Sequence, residues 1–391
     1  MTPCGERKCR RRPVGSARKS EREEPKVHEV LEEAAVSLGI EGRLAHLASA
    51  CQESRAFVQE AKQKLRRAGH EAGLDLDALP LDVVAFGSYA REEASRESDF
   101  DYLVIAYGLC DQPRATRVLL KQADLLRQLP LLHAERARGV LYQEGDAVRH
   151  KEIAGPGNTG MFGRVVSAPD LVERIGLEQD TNQSQTIRML LLEESKSLLR
   201  DDLHEALIRV IIRRYLYEHS EPRNRPPRFL LNDVLRYWRT VAVDYAAKRY
   251  EQLNPEWGLR YLKLILGRKL TYAGTLVSLL SCGANRTADE NYLYQQLTMP
   301  PLARLSQLHR VISEEAQRDA LRTVLLSADW FNDRLGDADF RTTVKRVEDK
   351  DSTVPAFLEA VERARILQRS LEVLFFEAPP LRANAVTYLS F

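Results

Sequence analysis

The chain lacks the features of a membrane, secreted or zinc-scaffold protein. Among its 391 residues no apolar run approaches the ~18 residues that a membrane-spanning helix needs. The longest candidates, Tyr102–Tyr107 and Met189–Leu192, have only the length of core segments. There are five cysteines, Cys4, Cys9, Cys51, Cys110 and Cys282. Their number is odd, their spacing is scattered and no Cys-x-x-Cys occurs, which excludes a disulfide framework and fits a reducing cytoplasm. His150, His204, His219 and His309 stand alone, without His-Glu-x-x-His or His/Cys ligand spacing, so a zinc site is excluded as well. No repeat is evident.

An excess of one charge sign is also missing. The net charge is +2, which by itself implies no polyanion partner. The basic surplus is confined to residues 1–26, with nine Lys/Arg against four Glu, and the remainder is slightly acidic. This tail has no apolar stretch of the secretory type. It reads as a disordered, solvated start, with a tether to nucleic acid or an anionic surface as the other reading.

The composition, 44% hydrophobic and 29% charged, supports a soluble protein with a sizeable core, and the length suits two or three domains. Helical periodicity over 27–75 (Leu31, Ala34, Ala35, Leu38, then Leu44 to Ala68) predicts two N-terminal helices closed by Gly69 and Gly73. Residues 82–86 read as a buried strand and 99–106 as a central one. A helix is expected over about 114–132, then short strands with loops over 139–165. Ser167-Ala-Pro-Asp170 has the form of a helix start. From about Gln185 onward helical periodicity dominates. The expected class is α+β: a small mixed-sheet domain over 76–200 behind a helical lead-in at 27–75, then an all-helical part over 201–391.

The chemistry lies in Phe86-Gly87-Ser88, ten residues, then Asp99-Phe100-Asp101. On a strand, residues i and i+2 share a face, so Asp99 and Asp101 project together and Phe100 anchors the opposite face. Two carboxylates held side by side repel unless a cation lies between them. Mg²⁺, or Mn²⁺ in its place, suits such a pair, since it takes one or two carboxylates and fills its shell with water and phosphate oxygens. Gly87 lets the backbone approach a triphosphate, the Ser88 hydroxyl can bond phosphate oxygens, and Arg91 adds charge one turn on.

Gly-Ser, a ten-residue gap and Asp-x-Asp before an apolar run resemble the signature of the DNA polymerase beta-like nucleotidyltransferase superfamily. The string from Gly87 to Ile105 is similar to its bacterial members, including the uridylyl- and adenylyltransferases that modify proteins. The resemblance implies that Gly87 and Ser88 hold the triphosphate and that Asp99 and Asp101 hold the metal. It also implies a third acid, as metal ligand or general base. Glu144, Asp146, Asp170, Glu193 and Glu194 are the candidates, with ordinary surface charge as the plainer reading of each.

In the helical part, Asn232, Arg236, Arg239 and Val243 fall on one helical face, and Arg260, Lys263 and Gly267 on another, with Arg268 and Lys269 following. Arg236, Arg239, Lys263 and Lys269 are therefore candidates for the far wall of the nucleotide or acceptor site. Ion pairing with Asp233, Asp244 and Glu256 is the plainer alternative. The expected activity is metal-dependent transfer of a nucleoside monophosphate from an NTP to a hydroxyl on a protein or RNA, releasing pyrophosphate. A catalytically silent nucleotide-binding module and an antibiotic-type small-molecule nucleotidyltransferase are the alternatives.

Overall fold

A computed structural model describes residues 27–95, 98–108, 113–129, 162–217, 225–250, 256–283, 287–350 and 352–389. Tail 1–26 and the candidate acids Glu144 and Asp146 lie outside them, as does most of the stretch of short strands and loops expected over 139–165.

Two helices open the described chain, α1 (Val27–Leu38) and α2 (Ala45–Glu71). Strand β1 (Leu81–Phe86) follows, then a four-residue helical turn (Gly87–Ala90), β2 (Asp101–Ala106) and α3 (Pro113–Arg127). Strand β3 (Val165–Ser167) leads into α4 (Ala168–Glu173). Its N-cap is the expected Ser167, whose Oγ accepts from the Asp170 amide at 3.4 Å. Helix α5 (Asn182–Glu193) precedes β4 (Ser195–Ser197).

The rest is helical: α6 (Asp201–Tyr217), α7 (Arg228–Tyr250), α8 (Trp257–Leu262), a π-helical turn (Lys263–Arg268) and α9 (Lys269–Leu280). Helices Glu290–Leu297, Pro301–Ser306, Glu315–Gly336, Ala338–Lys345, Pro355–Phe376 and Pro379–Leu389 complete it.

The sheet order is β3-β2-β1-β4, so β2 is central as its apolar run required. β1 pairs antiparallel with β2 and β4, while β2 pairs parallel with β3. Strand β4 departs from the helical expectation beyond Gln185. Ser-Lys-Ser carries no strand periodicity; it extends because the open edge of β1 offers hydrogen-bonding groups that must be paired.

Alternation along β1 and β2 divides the core. Val84, Phe86, Leu103 and Ile105 join a large core that runs continuously from α1 through α5 to the C-terminal helices. Leu81, Val83, Ala85, Phe100, Tyr102 and Val104 face a smaller core closed by α2, α3 and Leu198–Leu199. The helical part thus packs directly on the sheet face that carries Asp101. Among the described residues no helix is long and apolar enough to cross a membrane.

Candidate active site

Register creates the site. Phe86, the last residue of β1, pairs with Asp101, the first of β2. Gly87 must turn the chain away beside the Asp101 side chain, and it does so at φ +71°, in the left-handed region that favours glycine. A Cβ built on Gly87 would lie 3.1 Å from Asp101 Oδ2. The strand begins at Asp101 rather than at Asp99. Asp99 lies exposed, two residues ahead of the ladder, and buried Phe100 between them faces the smaller core.

Aromatic packing fixes both halves of the motif. Tyr89 stacks on Phe57 of α2 at 4.1 Å, and Phe100 meets Phe57 edge-on at 5.3 Å and Tyr89 at 6.0 Å. Residues 92–94, after the Gly-Ser turn, are held one by one. Glu92 stands at φ 61°, a conformation that costs a non-glycine residue about 1–2 kcal/mol. Its carboxylate accepts from Arg55 Nε at 2.8 Å and from the Cys51 thiol at 3.1 Å, with Lys196 Nζ 3.6 Å away. Burial, reinforced by Glu92, pushes the Cys51 thiol up to about 12, so it remains a donor. The Ala94 amide donates to Ser54 Oγ at 3.0 Å, and Asn332 Nδ2 donates to the Glu93 carbonyl at 3.0 Å.

A cleft opens between this loop and the helical part. Gly87, Ser88, Arg91, Asp99 and Asp101 line one side, Lys263, Gly267 and Arg268 the other. Leu302, Phe331 and Leu335 supply apolar surface, and Asn332 and Arg341 also reach it. The structure therefore brings together Gly87, Ser88, Arg91, Asp99, Asp101 and Lys263 of the residues singled out in the sequence. Arg236, Arg239 and Lys269 do not line this cleft. The face Asn232–Arg236–Arg239–Val243 is largely turned to solvent: Asn232 and Arg239 are exposed, Val243 is 64% exposed, and Arg236 pairs with Asp233 at 3.6 Å.

Lys269 lies outside the cleft: six positions after Lys263, it falls on a different helical face. In the π turn Lys263–Arg268, hydrogen bonds run i→i+5, which rotates a residue five positions on toward the same side. Arg268, without a stated role in the sequence reading, thereby joins Lys263 at the cleft. No α-helical periodicity contains that signal.

The charges of the cleft are unevenly satisfied. Glu194, buried at the end of α5, accepts Arg91 Nη1 on Oε2 and Arg268 Nη1 on Oε1. Arg91 Nε also bonds Glu93 Oε2 at 2.9 Å. Burial would raise the Glu194 carboxyl, but Arg268 and Arg91 overcome it and hold it below its ordinary value. Burial raises Glu93, with Arg91 offsetting only part. Asp101 is pushed up to about 7 by burial, partly offset by Arg268 and augmented by Asp99. Its Oδ1 is buried with no hydrogen-bond partner. Lys263 faces the cleft yet is ringed by protein, and burial together with Arg341 lowers it to about 8.

These features fit a divalent cation at Asp101 and Asp99: an unpaired buried carboxylate oxygen, a second carboxylate opening on the same cleft, and a glycine that leaves the approach clear. Among the described residues no three His, Cys, Asp or Glu side chains group closely enough to hold a metal by themselves. Of the candidate third acids, Asp170 pairs with Arg174 at 2.8 Å and Glu194 is committed to two arginines. Glu193 is buried with Oε1 unpaired, and burial raises its carboxyl.

Comparison with known proteins agrees with this geometry. Residues 71–134 match the family model described as a nucleotidyltransferase domain. The chain carries a nucleotidyltransferase domain. Its matched span contains the Gly-Ser turn, both aspartates and the two central strands of the sheet. No curated protein and no solved structure matches the chain.

Proposed function

We propose that this chain transfers a nucleoside monophosphate from an NTP to a hydroxyl of a macromolecular acceptor, a protein or an RNA, and releases pyrophosphate. The observation that carries the reading is the half-buried Asp101 carboxylate, whose Oδ1 is buried and unpaired beside left-handed Gly87. A buried charge without a partner costs several kcal/mol, roughly, unless a ligand completes it.

Asp99 and Asp101 would hold Mg²⁺ or Mn²⁺, which when bound neutralises phosphate charge and supports in-line displacement at the α-phosphorus. The residues of the chain bind and orient. Gly87 keeps the approach to Asp101 open, and the Ser88 hydroxyl offers a hydrogen bond to a phosphate oxygen. Lys263 and Arg268 present positive charge from the opposite wall, with Arg91 behind the Gly-Ser turn. The apolar side at Leu302, Phe331 and Leu335 excludes water from one flank of the cleft, which strengthens these interactions.

The acceptor assignment rests on chain architecture: the helical part is far larger than closing a nucleotide site requires, and it reaches the cleft through Lys263, Arg268, Asn332 and Arg341. The test is incubation with each α-labelled NTP, Mg²⁺ or Mn²⁺ and cell lysate, beside the Asp101→Asn variant. Label on protein or RNA that disappears in the variant is expected. Label on a small molecule would point to the antibiotic-type activity, and no Asp101-dependent label with any NTP would leave a silent binding module.

A further inference from the structure

Among the described residues Glu194 is the one carboxylate at this site with both oxygens engaged by arginines, and the two arginines come from different parts of the chain. Arg91 follows the Gly-Ser turn of the sheet domain, and Arg268 closes the π turn of the helical part. Both line the cleft beside Ser88 and Asp101. Glu194 stands behind them, its side chain 1% exposed. Two guanidinium groups brought together from the two sides of the cleft repel each other; Glu93 also holds Arg91, but among the described residues Glu194 alone bonds both. The fork of each guanidinium bonds a carboxylate oxygen in a fixed direction, so Glu194 sets their orientation as well as their charge.

We propose that Glu194 is a positioning residue that holds Arg91 and Arg268 as a preset cation pair against the triphosphate of the bound NTP. The inference rests on the nucleotidyltransfer reading of the cleft. Glu194 touches no substrate; it acts through the two arginines. Its position explains why a carboxylate stands so close to a polyphosphate site: the loss of attraction is smaller than the gain from two cations locked in place before the ligand arrives.

The sign of the effect separates positioning from simple electrostatics. Removing a negative charge near a triphosphate should tighten NTP binding if Glu194 contributes only its charge. A positioning role requires the opposite. The probes are the four α,β-methylene NTP analogues with Mg²⁺, with binding measured by calorimetry and folding by circular dichroism. For Glu194→Gln, the analogue that binds wild type should bind about tenfold more weakly, the loss expected when a charge-assisted contact is displaced.

A second variant, Glu194→Asp, keeps the charge but shortens its reach to the two arginines, and serves if the single variant does not fold. It should retain helical content and likewise bind about tenfold more weakly. Unchanged or tighter binding in a folded variant overturns the inference while leaving the nucleotidyltransfer reading intact. Wild-type protein that binds none of the four analogues overturns both.

Discussion

Gly87 and Asp101 meet at the end of the β1–β2 ladder, where a side chain on Gly87 would press on Asp101 Oδ2 at 3.1 Å. Gly87→Ala should therefore act twice. The left-handed backbone costs alanine about 1–2 kcal/mol, seen as a lowered urea midpoint. The new methyl displaces the carboxylate, so nucleotidyl transfer should fall further than the stability loss explains. A folded Gly87→Ala protein with wild-type transfer would remove Asp101 from the reaction.

Divalent metal should stabilise the protein through the same carboxylate. A ligand present at ten times its dissociation constant adds about 1.4 kcal/mol. Wild-type protein should melt higher with millimolar Mg²⁺ than with EDTA, and Asp101→Asn should not respond. Equal responses in a scanning fluorimetry titration would place the metal elsewhere.

Of the two lysines that the sequence offers for the far wall, Lys263 lines the cleft and Lys269 does not. Lys263→Gln should weaken NTP binding, whereas Lys269→Gln should leave it unchanged, since Lys269 does not line the cleft. Lys263 is lowered to about 8, so it carries its charge below that pH and loses it as pH rises through it. NTP affinity should decline above pH 8 in wild type. The decline should vanish in Lys263→Arg, whose guanidinium stays charged.

His204 couples stability to acid. Ser195 Oγ donates to the Leu191 carbonyl at 2.7 Å, so the contact of 2.8 Å between His204 Nε2 and Ser195 Oγ has the imidazole as donor. Burial lowers His204 to about 4 from an ordinary 6.5. The unfolded chain thus binds a proton that the folded chain refuses between pH 6.5 and 4. The resulting stability is present above pH 6.5 and is lost as pH falls, by about 3 kcal/mol across the window. Urea denaturation at pH 7, 5.5 and 4.5 should show this slope, and His204→Gln should flatten it.

Glu92 offsets strain with bonding. Glu92→Gly relieves a left-handed backbone worth about 1–2 kcal/mol but removes the acceptor for Arg55 and Cys51 and the ion pair with Lys196. The variant should still be less stable than wild type, by about 1 kcal/mol. A more stable variant would show that the network contributes less than the strain costs.

The sequence reveals the site best where geometry is local. Gly87-Ser88 and Asp99-Phe100-Asp101 mark a turn and a strand within twenty residues, and alternation alone places Phe100 on the face opposite Asp101. What requires the tertiary fold stays hidden. Ser195–Ser197 becomes a strand only because β1 has a free edge. The stripe of Arg236 and Arg239 has helical spacing, yet spacing cannot say which face of a helix meets solvent, and here this one largely does. Arg268 reaches the cleft through a π turn that no 3.6-residue period reveals. Glu194 lies in a run of leucines that reads as core, and only its two arginines, each over seventy residues away in sequence, show what its charge is for.

The large core joins Val84 and Phe86 of the sheet to Leu302, Leu321 and Phe357 of the C-terminal helices without interruption. A fragment cut after residue 200 would keep the aspartates and the Gly-Ser turn, but it would expose an apolar sheet face to water and lose Lys263 and Arg268. Such a piece would self-associate through that face. The Gly-Ser and aspartate motif and the helices are one indivisible unit of folding, and expression of the stretch matched at 71–134 in isolation should yield aggregate.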